Sequence, residues 1–559
     1  MTSRISFYPA IALLAVAPST GPARAGADES EPIRRAYTQR LTSGPDRTLY
    51  VEARSTDVRI AGTEGSEIVV DAEVEIGGLT PERLAEFLAS TELVLEPYGE
   101  GYRTTLQTPE SERPEEQGES EPLGFLRRMF HADEYEGHGA GQVSISTVLD
   151  IRVPAQQSLD IDAEFGDTAV EGVGGSLRIH NLSGKVTVRQ SRGSLALRNS
   201  HGPVEVIDFA GPVSVQGSHS PVLLENIGAG AEVRTSHKSV RLQNVGGAVD
   251  LTAPHSRIEA EGIEGDFHAA FSHKPVSVRD VAGDLTIIGQ HGEIEVYDVG
   301  GRCSVQSQHK RIAIERVTGS LDIRSSHGDI AVTGVGRETT IRSSHKLVVV
   351  GDVGGDLEVD NDYGSTQARG IGGDVRIVGR HKPIEVEDVV GSVDISASHS
   401  RVVARKIQQD VAVRSAHKPV VIEEVGGSVG VDGTHSEISV HGVQGDVDIA
   451  NSHKQVVVQG SRGSVRVKAY GSPIEVSQIR ALPEGGHIDL LTSRAPVELS
   501  LPADADVRIS LRTRKGQIRS DLPLDLSESR RGTRRIDYGE GSTLVQIETD
   551  GDISLYSGE

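Results

Sequence analysis

Stepping by eighteen residues from His201, the chain carries His201, His219, His237, His255, His273, His291, His309, His327, His345, then Tyr363, then His381, His399, His417, His435 and His453. Fourteen of fifteen successive positions are histidine, in a chain with 20 histidines in all. Imidazole is the commonest metal-ligating side chain and the one whose unperturbed pKa lies near neutrality. Three chemistries fit such a row. The rings could pack on one another as a structural column, as identical side chains do in stacked sheets. Neighbouring nitrogens could share a divalent metal. The row could also take up protons together as pH falls. Each period supplies one His and no fixed Asp, Glu or Cys beside it, so a closed four-ligand metal site is not specified, and the ladder is a binding candidate with no committed cofactor.

Covalent and hydrolytic chemistry fits less well. No Gly-x-Ser-x-Gly, His-Glu-x-x-His or phosphate-binding loop occurs. No column keeps an acid in every period, as paired-carboxylate glycoside chemistry in a cleft would favour. The repeated Gly-Gly-x-Gly-x-Asp of calcium-binding rolls is missing as well. The reading is therefore of a non-enzyme.

The elements that hold the row follow from its period. A fixed spacing near twenty residues marks a solenoid, in which equivalent residues stack from coil to coil. With His273 as position zero, apolar residues fall at +3, +5, +8, +12 and +14: Val276, Val278, Val281, Leu285 and Ile287. The second half copies the first with a shift of nine, so each coil is two short strands of Val-x-Val type joined by bends. Position +12 is Cys303 in the next coil, which makes this sole cysteine a buried small hydrophobe. The fold expected is all-β, a parallel β-solenoid of about 18 residues per coil.

The residue after the ladder His is Lys at 238, 274, 310, 346, 382, 418 and 454, and Gly or Ser in the coils between, so the duplicating unit is 36 residues. An 18-residue coil separates those lysines by about 10 Å, whereas a 36-residue coil would stack them at about half that distance with more repulsion, which favours 18.

Residues 1–25 read as a secretory signal: Arg4, an apolar run from Ile11 to Ala17, and Ala23-Arg24-Ala25 as the cleavage site. Residues 26–46 read as a flexible lead-in. Residues 47–148 form an N-terminal β-rich cap with one helix opening at Thr80-Pro81-Glu82, interrupted by a structureless acidic insertion at 107–142. Within that insertion, Leu123–Phe130 is short, basic and apolar. The solenoid spans 149–480, and 481–559 make irregular closing coils and a cap.

The formal net charge of −24 argues against nucleic acid as a partner. The apolar N-terminal run is too short to cross a bilayer, and no later segment approaches the length a membrane helix needs. One cysteine means no disulfide framework for an exported chain.

Units such as Gly319-Ser320-Leu321-Asp322-Ile323 and Gly373-Asp374-Val375-Arg376-Ile377 resemble the bacterial adhesin-like family of β-strand repeats, a domain of unknown function. So do Leu499-Ser500-Leu501-Pro502, Gly516-Gln517-Ile518-Arg519 and Gly551-Asp552-Ile553-Ser554. The resemblance covers about Asp46 to the C-terminus apart from the insertion. It implies an exported β-solenoid at the bacterial envelope (periplasm, cell surface or medium), with a protein, cell-surface or polysaccharide partner and no catalytic residues. The unbroken His column departs from it. The function expected is a rigid repeat scaffold for adhesion or assembly; the alternative is a multivalent metal- or proton-responsive binder using the ladder.

Overall fold

The computed structural model describes residues 32–44, 47–109, 143–479, 485–503, 505–522, 529–530 and 533–558. The expected signal segment and nearly all of the acidic insertion, Leu123–Phe130 included, lie outside them.

Alternating side chains make strands, and strands that repeat every eighteen residues pair in register with their own successors. Val276 lies beside Ile294 on one sheet, and Leu285 beside Cys303 on the other, both parallel and both offset by 18. The same offset holds in both sheets from Leu159 and Thr168 to Val465 and Ile474. The chain is therefore a parallel β-solenoid of about 18 turns with about 18 residues per coil. The 36-residue coil is excluded, since strands of the repeat pair at an offset of 18 residues and not of 36.

Two sheets face each other across a thin core. Val276, Val278, Val281, Leu285 and Ile287 are all at most 1% exposed, as are their equivalents through most of the rod. A sixth inward position, +16, escaped the apolar pattern because residues of mixed size and polarity occupy it. Asn199, Thr235, Ala253, Phe271, Ser307, Asn361 and Asn451 are buried there. The asparagines satisfy bend carbonyls: Asn451 Nδ2 donates to the carbonyls of Ser436 (2.8 Å) and Lys454 (3.1 Å).

Both ends depart from chain order. Thr48–Ala53 and Asp57–Thr63 pair directly with Ser158–Phe165 and Thr168–Glu171. The chain between them folds outward: Gly101–Gln107 and Ser144–Pro154 stack on the 48–63 coil in parallel. Antiparallel strands then close the end, Glu92–Tyr98 on one sheet and Glu67–Gly77 on the other. Ile33–Thr42, within the stretch read as a flexible lead-in, is a ten-residue strand paired with Glu67–Gly77. Its polar side chains fit an outermost edge, which charge protects from further pairing. The single helix, Pro81–Ala89, has Pro at its start and Glu82 in its first turn, and buries Phe87.

At the other end the step lengthens to 23 at Val465–Ile488 and Ile474–Val497. Thr543–Thr549 then lies between His487–Leu491 and Val507–Thr513, and Ile553–Gly558 between Val497–Pro502 and Ile518–Ser520. Antiparallel Thr533–Tyr538 covers Val507–Thr513. Among the described residues no helix is long and apolar enough to cross a membrane.

Candidate functional site: the histidine edge

Each coil turns at two bends, one holding the ladder residue at position zero and the other at +9 to +11. Ten ladder histidines, among them His237, His273, His309 and His453, have φ between +58° and +76°. This left-handed conformation is uncommon outside Gly, and His is one of the few side chains enriched in it. A tight bend that also shows a ring to solvent thus has a reason to select His. All fourteen are exposed.

The rings form one continuous stack. From His201 to His345 neighbouring centroids are 4.4–5.4 Å apart with planes within 10° of parallel. Tyr363 continues the column between His345 and His381, at 5.3 and 4.9 Å. From His381 to His453 spacings are 4.4–5.5 Å with planes up to 29° apart. Tyr470 closes the run edge-on to His453.

The spacing alternates, and the 36-residue unit explains it. Steps into a lysine coil are short: 4.6 Å for His255–His273, 4.5 Å for His291–His309 and 4.4 Å for His327–His345. Steps out of one are longer, 5.1 Å for both His273–His291 and His309–His327. The residue after His points outward when it is Lys and inward when it is Gly or Ser. Lys274, Lys310 and Lys346 are exposed, whereas Ser256, Gly292 and Gly328 are buried. Gly292, Gly328 and Gly364 press against the backbone carbonyls of Lys274, Lys310 and Lys346, leaving no room for a Cβ. The sequence showed the alternation; only the packing shows its cause.

Hydrogen bonding sets the tautomer at two rungs. Ser236 and Ser344 donate their hydroxyl protons to the carbonyls of Ser218 (2.6 Å) and Ser326 (2.8 Å). Their oxygens must then accept from Nδ1 of His237 (3.0 Å) and His345 (2.8 Å). In both neutral rings Nε2 keeps its lone pair as acceptor or proton site. Partial desolvation of the stacked rings lowers the pKa of His291 and His327 below 6.5, and the neighbouring imidazoles and lysines lower it further.

Metal chelation needs converging nitrogens. Zn–N bonds of about 2.0 Å hold two tetrahedral ligand nitrogens little more than 3 Å apart. From His201 to His345 the near-parallel rings, with centroids 4.4 Å or more apart, keep equivalent nitrogens wider apart than that. No group of three or more His, Cys, Asp or Glu suited to an ion occurs among the described residues.

The opposite bend has its own column. Asp284 and Arg302 donate backbone N–H groups to Asp266 and Asp284 (both 2.8 Å), and Ser392 and Ser428 do so to Asp374 (2.8 Å) and Asp410 (2.7 Å). These carboxylates stitch coil to coil. Asp266 and Asp284 also line a groove of about 960 Å³ that runs over the coil faces from Ser194 to Thr286. Within it His268 Nδ1 lies 3.3 Å from Asp250, both exposed.

No known protein family matches the chain, and no curated protein matches it. Among solved structures it is similar to a cell adhesion protein, provisionally so named, from Clostridium sporogenes, with 8% identity over 52% of this chain and all of that one, at a TM-score of 0.14. The resemblance drawn from the strand units therefore rests on those units alone.

Proposed function

We propose that the protein is a non-catalytic scaffold of the bacterial envelope, a rigid rod that displays one edge repeatedly for adhesion or assembly. The observation that carries this reading is the constancy of the coil. The same apolar positions recur from turn to turn over about 18 turns, with no insertion between Leu159 and Ile474 to wall a cleft. The carboxylates at the groove floor accept backbone N–H groups, which is a structural task. Export and an envelope location belong to this proposal, supported by the signal-like start and the strand units.

The second reading, a proton- or metal-responsive binder, is favoured by the long stack of imidazoles, nine above Tyr363 and five below it. The geometry suits protons better than a chelated ion.

The test is an in-frame deletion of residues 237–452, six 36-residue units, compared with the full chain in cells lacking the gene. Full-length protein is expected in the envelope fraction, restoring attachment of the cells to surfaces, with the shortened rod restoring less. Equal attachment with and without the gene would refute the reading, as would polysaccharide cleavage by the purified protein.

A further inference from the structure

The ladder edge carries the opposite charge from the protein as a whole. Over the fifteen bends from His201 to His453, the residue before the ladder position and the two after it include eleven Lys or Arg against four Asp or Glu, a net of +7. The acids are Glu293, Asp329, Asp362 and Glu437. In the same coils, position +11 at the opposite bend holds seven acids and one base, a net of −6, and the whole chain carries −24. The ladder edge is therefore a net-positive strip on a net-negative rod.

Nine of those eleven cations lack an ion-pair partner within 4 Å among the described residues. None of the seven ladder lysines has an ion-pair partner within 4 Å among the described residues, and neither have Arg311 and Arg401. Only Arg257 (with Glu259, 3.0 Å) and Arg380 (with Asp362, 3.5 Å) are paired. Elsewhere on the rod charge pairs across neighbouring coils are common, as at Arg241–Glu259 and Arg405–Glu423 (both 2.6 Å). The lysines are all exposed, in line, and about 10 Å apart, two strand spacings. Between them stand the ring edges, with Nε2 of His237 and His345 free to accept a hydrogen bond.

We propose that this edge is a docking strip for a linear acidic polysaccharide, one extended chain lying along the lysine column. It rests on the scaffold reading and names the partner of that same edge. A sugar chain bearing carboxylates offers anions for the lysines and hydroxyl donors for the imidazole nitrogens. A nucleic acid strand fits less well. Ring faces that could stack on bases are covered by their own neighbours, so the column offers no open stacking platform to a strand.

The test uses the full-length protein and polygalacturonate, which carries a carboxylate on every sugar, with neutral dextran and oligothymidylate as comparisons, at pH 7.5 and low salt. Expected are saturable binding of polygalacturonate, none of dextran, and weaker binding of oligothymidylate. Replacing the seven ladder lysines by Gln should weaken polygalacturonate binding by about tenfold or more and flatten its salt dependence. Should that variant not fold, Arg311→Gln with Arg401→Gln carries the same test with a smaller loss. No saturable binding, binding unchanged in the folded variant, or tighter binding of oligothymidylate would overturn the proposal. Scattering on the same samples separates the two readings. An intact rod that binds no polygalacturonate refutes the docking strip and leaves the scaffold, whereas particles that are not rod-shaped refute the scaffold itself.

Discussion

Gly328 lies beneath the backbone carbonyl of Lys310, one coil earlier, so closely that no Cβ fits between them. Gly328→Ala should therefore push the two bends apart. The expected cost is about 1–3 kcal/mol, as for other overpacked sites. Lys310→Ala, which trims only an exposed side chain, should change stability by less than about 0.5 kcal/mol. Hydrogen exchange at the amides of residues 309–345 checks this locally, since a rod of this length need not unfold in one step.

Val278 and Leu285 face each other's sheets at 0% exposure. Replacing either by Asp puts a carboxylate into the core without a partner, at an expected cost of several kcal/mol. The damage should reach the coils on either side, because each coil is supported by its two neighbours. Limited proteolysis should open new cuts between residues 255 and 310. Resistance equal to wild type would contradict these inward positions.

The period, the coil size and the five apolar positions were legible because burial repeats in the chain as it repeats in space: Val276 and Ile294 are both neighbours and equivalents. Asn361 and Asn451 were not, since a buried amide under a bend reads as turn chemistry until the carbonyls it serves are located. Nor was the strand Ile33–Thr42, whose charged residues suit an edge as well as they suit a loop. The threading of both caps stayed hidden for another reason. Spatial order of strands follows chain order only while the repeat lasts, and Ala53 meets Ala163 across a hundred residues of excursion. For the edge, the histidines were visible, but its charge balance needed the knowledge that positions −1 to +2 share one bend.

His291 and His327 bind protons less readily in the folded rod than in the unfolded chain, because their pKa is lowered. The unfolded state therefore takes up more protons as pH falls. Stability from these two neutral rings should be fully present above about pH 6.5 and decline as pH drops through that value toward the lower folded pKa. Thermal melts from pH 8 to pH 5 should show this fall, and it should lessen when His291 and His327 are both replaced by Asn. A melting temperature as high at pH 5 as at pH 8 would contradict it.

Cys303 is fully buried between Leu285 and Leu321, and burial pushes its thiol up to about 12. The thiolate is the reactive form, so the folded protein should resist iodoacetamide at pH 8. One equivalent should react after denaturation. Prompt labelling of the native protein would mean that the coils around 303 open readily.

Because outward lysine and inward glycine or serine alternate from bend to bend, the rod has a parity. Losing one coil of eighteen residues would set two like bends together: without residues 327–344, the Lys310 and Lys346 coils would become direct neighbours. Losing or gaining thirty-six residues preserves the alternation of bends. Reach is thus a quantised property of this architecture. Lineages that lengthen or shorten it can do so smoothly only in paired steps of about 10 Å, each adding one more lysine to the row.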